Sequence, residues 1–175
     1  MWIFILGDMT VFALLFGVFL SRRRLDHEVF ARSSQDLSTA VGAVNTLLLL
    51  VSSLLVVTAV RAARFGSADR APRLVRGALA CGIGFVVVKG FEWGGHLADG
   101  VNPGTDFFWR YYFILTGLHL LHLLLGLGVL IYILRLLRRP ELPPNRVRFV
   151  EGGACFWHMV DLLWVVLFPL LYLAR

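Results

Sequence analysis

The chain is poor in charge and almost without lysine. Charged residues make up 16% of its 175 positions, and Lys89 is the one lysine among 17 basic residues. Soluble domains carry about 25% charged residues, so polar cover is too scarce here to coat a water-soluble core of this size. With two cysteines there is no disulfide scaffold. Cys81 and Cys155 sit within apolar runs, neither in a C-x-x-C, and read as small packing residues. No Gly-rich phosphate loop, nucleophile elbow or paired-carboxylate hydrolase motif is present. What abounds is apolar: 58% of residues are hydrophobic and mean hydropathy is +0.77. Disorder and collagen-like repeats are excluded by the same numbers. At roughly 20 residues per span, the length allows about five or six helices and leaves no room for a soluble catalytic domain. These are the marks of an all-α integral membrane protein.

Apolar segments run over residues 2–20, 37–60, 74–97, 107–134 and 149–173. Backbone groups in lipid must be satisfied within the segment, so each run is expected to be a helix. Breakers and charges fill the joining stretches, such as residues 21–36, 64–72 and 138–146. The expectation is a five-transmembrane-helix bundle over residues 1–175, one membrane domain without internal repeats. The first segment has no basic n-region, Asp8 interrupts it, and Arg22, Arg23 and Arg24 follow it, so it reads as a true span and not a signal peptide.

The basic residues lie in connections and near span ends, with no aromatic-interleaved basic groove, which argues against nucleic acid. Five spans would put ten arginines on the side of the N-terminus and six on the other. The positive-inside rule then places the N-terminus in the cytoplasm and the C-terminus outside. Arg61, Arg64, Arg73 and Arg76 crowd one loop, where guanidinium groups can hold the phosphate of a phospholipid; solvated positive-inside charges are the plainer alternative.

Ionisable residues inside spans are costly and need partners. Asp8, Lys89, Glu92, His96, His119, His122, Glu151, His158 and Asp161 all fall within or beside the apolar runs. Helical periodicity puts Glu151, His158 and Asp161 on one stripe, His119 and His122 on another, and Lys89, Glu92 and His96 on a third. The stripes are expected to meet in a polar seam inside the bundle. His119, His122 and His158 offer three imidazoles to a metal or haem, but H-x-x-H is a weak motif, and hydrogen-bonded histidines holding helices together are the simpler reading. Lys89 and Glu92, one turn apart, read as an intramembrane ion pair. Asp8 is expected to meet His122 or His158, with His122 favoured. Trp2, Trp109 and Tyr172 read as interface anchors.

Several motifs then point to a family. Thr116-Gly117-Leu118-His119-Leu120-Leu121-His122 through Gly126, and Glu151-Gly152-Gly153 through Trp157-His158-Met159-Val160-Asp161 to Trp164, resemble two helices of subunit III of the haem–copper cytochrome oxidases. Asn45-Thr46 with Ser52-Ser53, Phe91-Glu92-Trp93 and Gly7-Asp8 resemble further blocks of that family in the same order. By this resemblance the five runs are expected to correspond to the last five helices of the seven-helix members, as in short quinol-oxidase forms. Its compact loops look most like the subset associated with nitric oxide reductase, the NorE-type proteins.

The resemblance implies a non-catalytic subunit of a respiratory oxidase in the cell membrane, with no metal and no cofactor of its own. Haem and copper, or haem and iron, would belong to a catalytic partner subunit. The implied role is to stabilise that subunit, bind phospholipid and support proton uptake; the alternative is an accessory protein of nitric oxide reductase. A proton channel along the seam and a small membrane haem protein are the rival classes. Flux in liposomes and a visible absorption spectrum separate them.

Overall fold

Apolar length and helical propensity produce six α-helices in the computed structural model, which describes residues 2–64, 70–138 and 144–173. They are α1 (Trp2–Leu25), α2 (His27–Gln35), α3 (Thr39–Arg64), α4 (Ala71–Ala98), α5 (Phe107–Leu137) and α6 (Pro144–Phe168); a π-helical turn, Pro169–Leu173, prolongs α6. No strand occurs among the described residues. Four helices, α3, α4, α5 and α6 with its extension, are long and apolar enough to cross a membrane. The expectation of five such helices is thus met in its all-helical character and for four of the runs.

The short α2 lies within the connection between the first two apolar runs. It is tied to α5 by Asp106, whose Oδ2 accepts from Ser33 Oγ at 2.7 Å. Asp106 also caps α5, its Oδ1 accepting from the Trp109 amide at 2.9 Å, and so satisfies an otherwise orphaned donor. Pro72 opens α4, where its missing N–H costs nothing. Gly100, at φ +80°, lets the chain turn after Asp99.

The helices α3, α4, α5 and α6 form a four-membered ring, each packed on its two neighbours. Trp157 sits at its centre, fully buried. It fits because α4 and α5 present bare backbone to it: a Cβ on Gly126 would lie 2.8 Å from the Trp157 ring, and one on Gly82 3.0 Å. Outside the ring, α1 is applied loosely, with Phe12 and Phe19 buried among its described side chains. Leu14, Leu47, Leu54, Ile83, Phe91 and Leu121 face outward at more than half exposure. An outer shell this apolar suits lipid and not water.

Candidate functional site

The polar residues of the spans do not form one seam; they fall into separate groups, because a helical stripe fixes a face but not the neighbour that face meets. The most buried group surrounds Lys89, 1% exposed on α4. Its Nζ lies 3.2 Å from Glu92 Oε1, 2.9 Å from Tyr112 Oη and 2.8 Å from Tyr172 Oη. Both tyrosine hydroxyls donate to the same Glu92 Oε1, at 2.6 and 2.5 Å. The ammonium thus has three acceptors for three donors, and each hydroxyl both accepts and donates. Three aromatic rings wall it: Tyr112 at 4.7 Å, Trp164 at 5.3 Å and Tyr172 at 5.4 Å. A paired charge with filled hydrogen bonds is the form in which a cation survives in apolar surroundings.

Tyr172 and Trp109 correct the interface-anchor reading, for both are buried, at 0% and 2% exposure. At 100° per residue Tyr172 would drift about 80° from the Trp164 face; the wider π turn rotates it back inward. Nothing in the sequence announced that turn. Tyr112 was findable, since Tyr112, Thr116 and His119 share one face of α5. Of Trp2, the side chain lies outside the described residues.

A second group joins α1 to α5. Asp8 Oδ2 lies 3.2 Å from His122 Nε2, at ion-pair distance but outside hydrogen-bond angles. His122 Nδ1 donates to the Leu118 carbonyl at 2.7 Å; a carbonyl only accepts, so Nδ1 must carry hydrogen. The contact with Asp8 is attractive when one further proton resides on the pair, either on Nε2 or on the carboxyl. His119, one turn away, is fully buried between the Phe85 and Trp164 rings at 5.6 and 5.2 Å, and neither ring nitrogen has a partner among the described residues.

A third group lies between α3 and α6. Ser53 Oγ is 2.6 Å from His158 Nδ1, and Asp161 Oδ2 is 3.9 Å from the same nitrogen. Toward the end of the bundle, Arg64 reaches Glu151 Oε1 through Nε at 2.7 Å and Nη2 at 2.6 Å. A cavity of about 510 Å³ opens here, lined by Val57, Val60, Arg61, Arg64, Glu151, Ala154, Cys155 and His158. Arg61 and Arg64 of the expected phosphate-binding set line it, whereas Arg73 and Arg76 stand away on α4. His96 packs on Trp109 at 4.7 Å, remote from this cavity.

The three imidazoles offered to a metal are therefore dispersed to Asp8, to an aromatic wall and to Ser53. Among the described residues no group of three His, Cys, Asp or Glu is placed to hold a metal ion. What the arrangement offers is ion pairs, buried hydrogen-bonded ionisable groups and a cavity with Arg61 and Arg64 in its lining.

Comparison with known proteins fits this architecture. The family model for cytochrome c oxidase subunit III matches residues 1–174. The chain belongs to the cytochrome c oxidase subunit III family. A quinol oxidase subunit 3 from Bacillus spizizenii is 29% identical over 173 residues, covering 98% of this chain and 84% of that one. A cytochrome c oxidase subunit 3 from Thermostichus vulcanus is 26% identical over 177 residues, with 98% and 84% covered. A heme-copper oxidase subunit I+III from Aeropyrum pernix is 26% identical over 179 residues, covering 99% of this chain and 22% of the relative. As a subunit III family member, the chain is a multi-pass membrane protein.

Proposed function

We propose that the chain serves as the non-catalytic third subunit of a haem–copper respiratory oxidase, packed in the cell membrane against a haem-bearing subunit I. The observation that carries this is the match over residues 1–174, together with a relative whose name joins subunits I and III in one polypeptide. Haem and copper belong to the partner in this reading; the polar groups of this chain hold its own helices in register.

In the same reading α1 is a fifth span, so that residues 1–175 make one membrane domain with the N-terminus cytoplasmic and the C-terminus outside. Asp8, Lys89, Glu92, His119, His122, Glu151, His158 and Asp161 are its intramembrane polar framework. A phospholipid sits at the rim of the α3–α6 cavity, its phosphate meeting Arg61 and Arg64 and its acyl chains lying along the apolar outer face of the bundle. Support of proton uptake by the partner completes the role.

Affinity purification of the tagged chain from its own membranes in mild detergent, followed by identification of the proteins that accompany it, tests the assignment. Recovery of a haem–copper subunit I supports it. Recovery of nitric oxide reductase subunits would transfer the chain to that complex, and recovery of no large partner would refute it.

A further inference from the structure

We propose that His158 and Asp161 form a proton-transfer station that opens through the α3–α6 cavity to the Arg64–Glu151 end of the bundle. It rests on the reading that the chain supports proton uptake, and it gives that role to named atoms.

Asp161 carries the argument. Its side chain is 6% exposed, neither carboxylate oxygen meets full hydrogen-bond geometry with a described residue, and Ser53 is the polar side chain beside it. A carboxylate so sparsely satisfied within a membrane helix bundle is costly. His158, three residues earlier on the same face, stands between it and the cavity, with a side chain 33% exposed. Ser53 holds Nδ1 on the inner side at 2.6 Å, which leaves Nε2 as the ring nitrogen free to meet the cavity. An imidazole with one nitrogen toward an opening and the other reaching a buried carboxylate through a serine hydroxyl has the arrangement of a shuttle.

The charges around it are fixed on every side. Arg61 and Arg64 of α3 and Glu151 and Cys155 of α6 line the cavity. His119 of α5 and Lys89 of α4 lie further along, beside Trp164. The cations at the rim cluster away from Asp161, and Glu151 compensates Arg64 there.

The step balances with a proton alone. A hydronium in the cavity gives its proton to His158 Nε2 and leaves as water. The ring, now a cation, donates its Nδ1–H to Ser53 Oγ at 2.6 Å. That hydrogen passes to Ser53 Oγ as the serine's own hydrogen passes to Asp161: the Nδ1–H bond and the original Ser53 O–H bond break, a new Ser53 O–H and a carboxyl O–H form, and a neutral ring is left beside a neutral carboxyl. No electrons move and no co-reactant is needed.

Infrared difference spectra of the full chain in lipid nanodiscs, taken as pH is lowered, read the station directly. The expected result is a protonated-carboxyl band that titrates in the wild type and is lost in Asp161→Asn. In His158→Gln its midpoint is displaced, which covers the case of an Asp161→Asn chain that does not fold. In oriented vesicles of Cys81→Ser protein, a membrane-impermeant maleimide should label Cys155 from the Arg61–Arg64 side only. A band that persists in Asp161→Asn, or keeps its midpoint in His158→Gln, overturns the proposal. So does a Cys155 that is reached from the opposite side or not at all. These readouts need no partner, so a chain that co-purifies with subunit I yet lacks the band retires the station and leaves the subunit assignment intact.

Discussion

Asp8 of α1 faces His122 of α5 at 3.2 Å, and this contact does for the first helix what packing does for the others. Among the described side chains of α1, Phe12 and Phe19 are the buried ones, and Phe12 lies edge-on to the same His122 ring at 5.5 Å. Polar pairing and aromatic contact thus converge on a single histidine. Asp8→Ala should cost about 3 kcal/mol, the low end for breaking a buried pair, because the Asp8 side chain keeps 19% exposure. Chemical denaturation in detergent, with protease sensitivity of the first helix as a second reading, checks it. A wild-type midpoint would remove the anchoring role.

Lys89→Met should be more damaging. It leaves Glu92 buried without its cation, at a cost of about 3–5 kcal/mol. The double variant Lys89→Met/Glu92→Gln should recover most of that loss, since neither charge remains. A double-mutant cycle of unfolding free energies reads the coupling. Additive losses would show that the two residues do not act as a pair.

The central tryptophan makes a steric prediction. Gly126→Ala places a Cβ 2.8 Å from the Trp157 ring, and overpacking of this kind costs about 1–3 kcal/mol. Gly128 lies on the same helix with nothing within 4 Å of its would-be Cβ. Gly128→Ala should therefore be neutral or stabilise slightly. Equal melting points for the two variants would contradict the packing described.

At the rim, stability and binding should separate. The Arg64–Glu151 pair has side chains 54% and 34% exposed, so Arg64→Ala should cost less than about 1 kcal/mol. Phospholipid retained by the purified chain in native mass spectrometry should nonetheless fall in Arg61→Ala/Arg64→Ala. It should not fall in Arg73→Ala/Arg76→Ala, whose side chains do not line the cavity. Equal losses in both would place the headgroup on the wider loop surface.

Much of this was readable from the amino acids for a physical reason. An ionisable residue within an apolar run demands a partner, and three-residue spacing puts Glu92 beside Lys89 on one helix face. Partners across helices are harder. The stripe of Glu151, His158 and Asp161 is a true face of α6, but it meets Arg64 at one level and Ser53 at the next, so the expected seam divides. Tyr172 was hidden by the π turn, whose register the 100° rule does not describe. The helix α2 was hidden by its nine residues, too few and too polar to stand out from a loop.

The claim that the redox centre lies outside this chain is tested most directly by visible absorption of the tagged protein before and after dissociation. Purified in mild detergent, it should show the Soret band of the partner it carries. Stripped of that partner by stronger detergent and re-isolated, the folded chain should show none. A Soret band that stays with the isolated chain would contradict the account.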